Sequence, residues 1–221
     1  IVVFANDSLR YVTRHNIVKS SERAGQAEQR HEITPDRRRL TVDRPPGVAR
    51  VQRHAVRRAV ARQGVVPHVR AMLEAVRRVG ADLGILFDTD VDRSAAVDSQ
   101  GQAIDRNRIV ALAAALIQPK RKGSIVVTDS VTSDQLTVFL EDELNYRHLR
   151  FKRGYRNVIN KAIALNAEGF DSPLAIETSG HAAYRENYFL DDGAYLATKI
   201  VIRAAQLKRE GKDIGSVISA L

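Results

Sequence analysis

The feature that most constrains this chain is a short apolar run that ends in a cluster of aspartates. Residues 83–87 read Leu-Gly-Ile-Leu-Phe, and Asp88, Asp90 and Asp92 follow at alternate positions. A run without any polar position is typical of a parallel strand that is buried on both faces. In open α/β sheets, ligands bind at the carboxyl ends of the strands. The segment therefore predicts an α/β fold with a polar site after residue 87.

Three carboxylates this close together predict a divalent cation. Two unit charges about 5 Å apart repel by roughly 3 kcal/mol at an effective dielectric near 20. Hard oxygen ligands favour Mg²⁺ that also binds a phosphate oxygen, and Arg93 offers a planar fork to a phosphoryl group. An EF-hand is excluded, because Arg93 and Ser99 stand where glycine and a bidentate glutamate are needed. The alternative is a solvated loop whose aspartates act only as turn and cap residues.

Beyond this cluster, the hydrophobic pattern predicts that helices and strands alternate. The predicted helices are 69–79 with Gly80 as its cap, 109–117, 133–144, 155–166 and 194–209. The predicted strands besides 83–87 are 95–98, 124–127, 148–151 and 174–176. Residues 119–123 read as a domain boundary. The predicted fold class is α/β, with two consecutive α/β domains built on mixed, mainly parallel sheets and crossover helices.

The first part of the chain is basic and lacks a clear period. Residues 1–80 hold 17 Lys and Arg against 7 Asp and Glu, whereas residues 81–221 hold 18 against 19. Residues 1–4 read as a short buried strand, but no period is sustained to residue 67, so the N-terminal part is expected to be irregular. Residues 1–68 are interpreted as an atypical basic segment, either disordered or read in a shifted frame. The alternative is nucleic-acid binding through residues 30–62 with a steep salt dependence, although aromatic residues are not interleaved there.

Composition adds three expectations. The chain contains no cysteine, which excludes thiolate metal sites and disulfides and fits a cytoplasmic protein. It contains no apolar run of eighteen residues and no secretory signal, so we expect a soluble protein without a membrane partner. The proposed division is residues 1–68, the remainder of a metal-loop domain at 69–118, and a sugar-binding domain at 119–221.

Four motifs resemble those of one enzyme family in the expected order. Residues 83–98 resemble the metal loop of the phosphohexomutase superfamily, the phosphoglucomutases and phosphomannomutases. Residues 176–181, Ile-Glu-Thr-Ser-Gly-His, are similar to its sugar-binding loop, G-E-x-S-G-H. Residues 151–155 and 191–193 match weaker motifs. The resemblance covers about residues 70–221 and concerns the second and third domains of the family.

The resemblance implies an isomerase that transfers phosphate within a sugar. Such an enzyme moves phosphate between the 1- and 6-positions of glucose or mannose phosphate in carbohydrate metabolism, with Mg²⁺ as cofactor. The implied metal ligands are Asp88, Asp90 and Asp92. The implied substrate-binding residues are Glu177, Thr178, Ser179 and Gly180. The implied catalytic residues are Arg93, Lys152 and His181.

The chain also departs from the family pattern. It lacks the phosphoserine loop T-A-S-H-N-P, which residues 13–16 echo with Arg14 in place of the serine, and it lacks the phosphate-binding loop R-x-S-G-T. Ile176 replaces the usual glycine of the sugar loop. Because the sequence also begins with Ile1 rather than methionine, we expect a fragment that binds metal, and sugar weakly, without turning over substrate.

One enzymatic alternative stays open at this point. A haloacid-dehalogenase-type phosphatase also has an apolar strand followed by D-x-D-x-[TV], which residues 85–91 satisfy. Asp88 would then be the nucleophile and Asp90 the acid/base, with Thr128 and residues 191–192 in later roles. This interpretation leaves residues 177–181 unexplained, and it requires a covalent phosphate on Asp88.

Overall fold

Two β-sheets covered by helices make up the described structure. The computed structural model describes residues 2–5, 8–12, 17–19 and 66–221, with side chains from residue 69 onward. The first sheet has the order β3-β2-β1-β4-β5-β6, and every adjacent pair in it is antiparallel. Its strands are β1 Val2–Ala5, β2 Ser8–Val12, β3 Ile17–Lys19, β4 Leu83–Phe87, β5 Ser94–Asp98 and β6 Ala103–Ile104.

The second sheet is mixed and has the order β10-β9-β7-β8. Strand β7 pairs in parallel with β8 and β9, whereas β9 and β10 are antiparallel. Its strands are β7 Ile125–Asp129, β8 Arg147–Phe151, β9 Leu174–Ile176 and β10 Ala182–Tyr184. With the helices below, these sheets confirm the α/β class.

Within residues 66–221, five α-helices surround the sheets, and they match the predicted helices with shifted boundaries. They are α1 Val66–Val79, α2 Asn107–Ala115, α3 Asp134–Val138, α4 Tyr155–Ala167 and α5 Gly193–Arg209. Helix α3 continues as a π-helical turn, Phe139–Glu143, and short 3₁₀ helices lie at Arg185–Asn187 and Ile214–Ile218. Gly80 ends α1 as predicted, with φ +61 and a Schellman-type bond from Ala81 N to Val76 O at 3.0 Å.

The predicted parallel pairing of β4 is wrong. Both of its neighbours, β1 and β5, run antiparallel to it. The strand is apolar because helices cover both of its faces. Leu83 and Ile85 join the main core with α2 and α5, whereas Leu86 packs with Met72 and Val76 of α1. The apolar run therefore indicated coverage on two sides rather than the direction of the partner strands.

The N-terminal predictions are tested only in part. The strand predicted at residues 1–4 is present as β1, and β2 and β3 are two further strands that the periodicity did not indicate. Residues 1, 6–7, 13–16 and 20–65 lie outside the described residues. The prediction of nucleic-acid binding through residues 30–62 falls entirely on these segments, as does most of residues 1–68, for which disorder or a shifted frame was predicted.

Helix α2 lies at the centre of the main core. All residues from Ile109 to Ala115 are at most 9% exposed. The core cluster around the helix contains Leu83 of the first sheet together with Leu174 of the second. The residues on either side of 119–123 therefore pack into one continuous apolar core, which holds the loops at the strand ends in fixed relative positions.

Candidate metal and sugar site

The aspartate loop, residues 88–93, joins β4 to β5 and is stabilised by Arg93. The Arg93 backbone N–H donates to Asp88 Oδ1 at 3.2 Å, and its Nε donates to Asp88 Oδ2 at 2.6 Å. Burial alone would raise the pKa of Asp88, but the hydrogen bonds and the charge of Arg93 outweigh it, so the pKa lies below its ordinary value. Asp88 is therefore an ionised carboxylate at neutral pH.

The three aspartates of this loop converge. One carboxylate oxygen from each of Asp88, Asp90 and Asp92 lies within 4.8 Å of the other two. Asp92 Oδ1 is buried without a hydrogen-bond partner. Burial raises the pKa of Asp92, as do the charges of Asp88 and Asp90, against the opposing effect of His181. This oxygen lies 3.7 Å from Arg93 Nε, and a buried carboxylate oxygen without a hydrogen bond beside two further carboxylates suits a hard cation such as Mg²⁺.

The sugar loop, residues 176–181, follows β9 and carries a buried glutamate. Glu177 is 6% exposed. Its Oε1 accepts a hydrogen bond from Gly154 N at 2.6 Å, and its Oε2 accepts one from Ser179 Oγ at 3.2 Å. Backbone bonds from Gly180 N to Glu177 O, 3.0 Å, and from Glu177 N to His181 O, 2.9 Å, close the turn. Glu177 and Ser179 are thus held side by side.

Thr178 is held by two hydrogen bonds to Asp129, a residue that the sequence analysis did not single out. Its backbone N–H and its hydroxyl donate to the two carboxylate oxygens of Asp129, at 3.2 and 2.9 Å. Asp129 is the last residue of β7 and is 1% exposed. Both donors of Thr178 are therefore used within the protein. Asp129 could have been found from its position at the end of a strand, because Asp88 and Glu177 also follow strand ends.

The aspartate loop and the sugar loop lie in direct contact. Arg93 and His181 form an isolated antiparallel β-bridge between them. A Cβ atom on Gly180, whose φ is +99, would lie only 2.7 Å from the backbone oxygen of Ser94. The two loops that carry the family motifs are therefore adjacent in space.

Residues 191–193 connect both loops to the start of α5. Asp191 bonds to His181, Asp192 caps the helix by accepting from Tyr195 N at 2.9 Å, and a Cβ atom on Gly193 would lie 2.7 Å from the carbonyl carbon of Arg93. The Asp-Asp-Gly motif thus has three separate structural roles, one for each residue.

His181 lies between two carboxylates and an aromatic ring. Its Nδ1 is 2.7 Å from Asp191 Oδ2 and 3.7 Å from Asp92 Oδ2. The Tyr155 ring stacks on the imidazole, with centroids 4.8 Å apart and planes at 17°. Burial lowers the pKa of His181, but the hydrogen bond and charge of Asp191, with the charge of Asp92, raise it above its ordinary value. Sequence reasoning missed Tyr155, although it noted the motif at residues 151–155.

Lys152 is the predicted catalytic residue that the structure does not bring into this cluster. It is exposed in the turn after β8, two residues before Gly154, whose N–H bonds to Glu177. Within residues 69–221, no hydrogen bond or ion pair joins Lys152 to either loop. Its catalytic role stays a prediction.

A second histidine, His148 on β8, is partly buried and is held by two threonines. Its Nε2 lies 2.7 Å from Thr128 Oγ1, and its Nδ1 lies 2.7 Å from Thr137 Oγ1. Burial and the nearby charge of Arg150 lower the pKa of His148 to about 4. The neutral imidazole is therefore the form that the folded chain favours.

We expect His148 to make the fold sensitive to mild acid. Between pH 6.5 and 4, His148 is largely protonated in the unfolded chain but largely neutral in the folded chain. The free energy of unfolding is therefore retained above pH 6.5 and falls as the pH drops towards 4. His148→Gln should remove about 2 kcal/mol of this loss between pH 7 and 4.5. Urea unfolding of both proteins at the two pH values measures it. Equal pH dependence of the two proteins would contradict the assignment, since all other groups titrate in both.

Comparisons with known proteins match this chain to one family. Residues 105–221 match the family model described as phosphoglucomutase/phosphomannomutase, alpha/beta/alpha domain III. The chain belongs to this family. The phosphohexomutase resemblance seen in the sequence is thereby confirmed, and the family's known relatives favour neither the phosphatase nor the nucleic-acid-binding alternative.

Individual phosphohexomutases are similar over the same part of the chain. A phosphoglucosamine mutase from Cutibacterium acnes is 33% identical over 156 residues, which are 70% of this chain and 33% of that protein. A phosphomannomutase/phosphoglucomutase from Pseudomonas syringae pv. tomato is 27% identical over 152 residues, 68% of this chain and 31% of that protein. The chain thus spans about a third of the length of the curated relatives it matches.

A solved structure shows the same relationship in three dimensions. A phosphoglucomutase/phosphomannomutase family protein from Burkholderia thailandensis superposes with a TM-score of 0.59 and 25% identity, over 70% of this chain and 32% of that one.

None of the helices in the described part of this phosphohexomutase chain is both long enough and apolar enough for a membrane span.

Proposed function

We propose that this chain provides the metal site and the sugar site of a phosphohexomutase. The reaction is the transfer of phosphate between the 1- and 6-positions of a hexose phosphate. The observation that carries the proposal is the contact between the two loops, in which Arg93 and His181 form a β-bridge. The aspartates proposed to bind the cation and the loop proposed to bind the sugar hydroxyls therefore lie side by side. The names of the relatives support glucose, mannose or glucosamine phosphate as the substrate.

Asp88, Asp90 and Asp92 are the proposed Mg²⁺ ligands. Their converging oxygens and the buried Oδ1 of Asp92, which makes no hydrogen bond, support this role. When bound, Mg²⁺ supplies positive charge that stabilises phosphoryl oxygens during transfer. Both oxygens of Asp88 already accept hydrogen bonds from Arg93, which disfavours Asp88 as a phosphatase nucleophile.

Arg93 is the proposed phosphoryl contact. Its side chain is 42% exposed, and only its Nε is used in the bond to Asp88. Within residues 69–221, its two terminal guanidinium nitrogens make no hydrogen bond. They form a planar pair of donors beside the metal ligands, which matches the geometry of phosphate oxygens.

Glu177 and Ser179 are the proposed contacts to sugar hydroxyls. Each oxygen of Glu177 accepts one hydrogen bond in this structure, and a carboxylate oxygen can accept a second. Thr178 and Gly180 shape the turn that presents this pair. His181, which lies next to Asp92, is the proposed proton-transfer group, and Lys152 is a proposed polar contact to the substrate.

The test is sugar-phosphate binding by the complete chain. In the presence of Mg²⁺, glucose 1-phosphate should shift the backbone amide NMR signals of residues 177–181. Glu177→Gln should weaken this binding at least about tenfold, or about 1.4 kcal/mol, because the amide replaces an acceptor with a donor. Glu168→Gln changes an exposed glutamate on the end of α4 and should bind as the parent does. Binding that is unchanged in Glu177→Gln, or shifts confined to other loops, would contradict the proposal.

A further inference from the structure

We propose that Tyr155 and Asp191 are positioning residues that hold the His181 imidazole in one orientation and one tautomer. Asp191 sets which nitrogen carries the proton, and the Tyr155 ring sets the plane of the imidazole. The consequence is that Nε2 is the nitrogen available for proton exchange with a bound sugar phosphate. Only this consequence rests on the proposed function, since the two contacts are properties of the folded chain itself.

The tautomer follows from the hydrogen bond with Asp191. An ionised carboxylate can only accept hydrogen bonds, so the 2.7 Å contact requires the proton to sit on His181 Nδ1. In the neutral imidazole, Nε2 is then left as the acceptor. Within residues 69–221, no group bonds to Nε2. Asp191 is itself restrained, because its side chain is 14% exposed and it directly precedes the helix cap Asp192.

The orientation follows from the stack with Tyr155. The two rings are nearly parallel, at 17° with centroids 4.8 Å apart, which lies within the range of favourable aromatic stacking. Tyr155 is the first residue of α4 and follows Gly154, whose N–H bonds to Glu177. The hydroxyl of Tyr155 accepts from Arg156 Nε at 3.0 Å. The ring, rather than the hydroxyl, is therefore the part that contacts His181.

Either contact alone would leave the imidazole ring free to make one kind of rotation. A carboxylate at Nδ1 fixes one nitrogen but allows the ring to tilt about that bond. A stacked phenol ring fixes the plane but allows a half-turn about the Cβ–Cγ bond, which exchanges Nδ1 with Cδ2 and Nε2 with Cε1. Because the backbone of His181 is tied to Arg93 by the β-bridge, the two side-chain contacts complete the restraint.

The experiment is NMR of the complete chain with isotope-labelled histidine, at a pH high enough to leave His181 neutral. The parent chain should show a protonated Nδ1 and a bare Nε2, and its His181 ring protons should be shifted upfield by the Tyr155 ring. Asp191→Ala should make the Nε2–H tautomer the major one, as in free histidine. Tyr155→Leu should abolish the upfield shift, and Tyr155→Phe should retain it.

The outcomes separate this inference from the proposed function. A parent chain with protonated Nε2 would overturn the inference, as would an Asp191→Ala chain that keeps the Nδ1–H tautomer. An upfield shift that persists in Tyr155→Leu would also overturn it. Should Asp191→Ala not fold, Asp191→Asn replaces it, and the two Tyr155 variants are interpreted independently.

These NMR measurements need no substrate, so a failure of the parent to bind glucose 1-phosphate would count against the proposed function alone. If it binds, Tyr155→Phe should bind within about twofold of the parent and Tyr155→Leu at least about fivefold more weakly.

Discussion

Replacing Gly193 by alanine is expected to lower the free energy of unfolding by about 3 kcal/mol. The new Cβ atom would lie 2.7 Å from the carbonyl carbon of Arg93, 2.8 Å from Val91 O and 2.9 Å from Arg93 N. All three are backbone atoms of the aspartate loop, so no side-chain rotation relieves the clash. In an open helix the same change would stabilise the chain by about 1 kcal/mol, since alanine is the better helix former. Urea denaturation measures the difference.

The neighbouring position provides the control for this prediction. Ala194 is exposed on α5, and Ala194→Ser should change stability by no more than about 0.5 kcal/mol. Gly193→Ala should also weaken metal binding, because the displaced loop carries the three aspartates. An alanine variant as stable as the parent would mean that α5 does not pack against this loop.

Replacing Asp92 by asparagine is expected to weaken Mn²⁺ binding, with Mn²⁺ as a spectroscopic substitute for Mg²⁺, by about 100-fold, or about 2.7 kcal/mol. The change removes one negative charge and replaces a ligand oxygen with an N–H₂ group. Stability without metal should stay close to that of the parent, because the loss of an ion pair with His181 is offset by reduced repulsion from Asp88 and Asp90. The two effects together distinguish a metal ligand from a purely structural carboxylate.

Titration of Mn²⁺ by electron paramagnetic resonance, with Mg²⁺ as competitor, measures the affinity. Asp142→Asn is the matched control, since it removes the same charge from an exposed turn of the α3 region. It should leave the affinity within about twofold of the parent. If Asp92→Asn binds Mn²⁺ as tightly as the parent does, the ligand assignment is wrong.

Much of the fold could be predicted because long elements carry a clear period. The helix predicted at 194–209 is present as Gly193–Arg209, and the strand predicted at 174–176 coincides with Leu174–Ile176. The direction of strand pairing could not be predicted in the same way. An apolar residue indicates only that its side chain is buried. Strand β4 would have the same apolar sequence between helices whether its neighbouring strands were parallel or antiparallel.

The candidate site was predictable where residues close in sequence share a turn, as in the aspartate loop and the sugar loop. It was not predictable where distant segments meet. Asp129 contacts Thr178 across 49 positions, and Tyr155 reaches His181 from the start of another helix. The strand end indicates that Asp129 lies near the site but not which residue it contacts, and Tyr155 does not differ locally from an ordinary helix start. Such partners are set by how the sheets and helices pack, which periodicity does not encode.

Helix α5 also determines how the two loops behave together. It begins at Gly193 against the aspartate loop and runs along β4 to Lys208, whose Nζ lies 2.7 Å from Asp82 Oδ2 just before that strand. The residues before it, Asp191 and Asp192, tie the same helix to the sugar loop. The aspartate loop and the sugar loop are thus both attached to the start of one helix, so the proposed cation contacts and sugar contacts are held in fixed relative positions. Heating should consequently disorder both loops in a single cooperative step, because the start of α5 must detach before either loop is released.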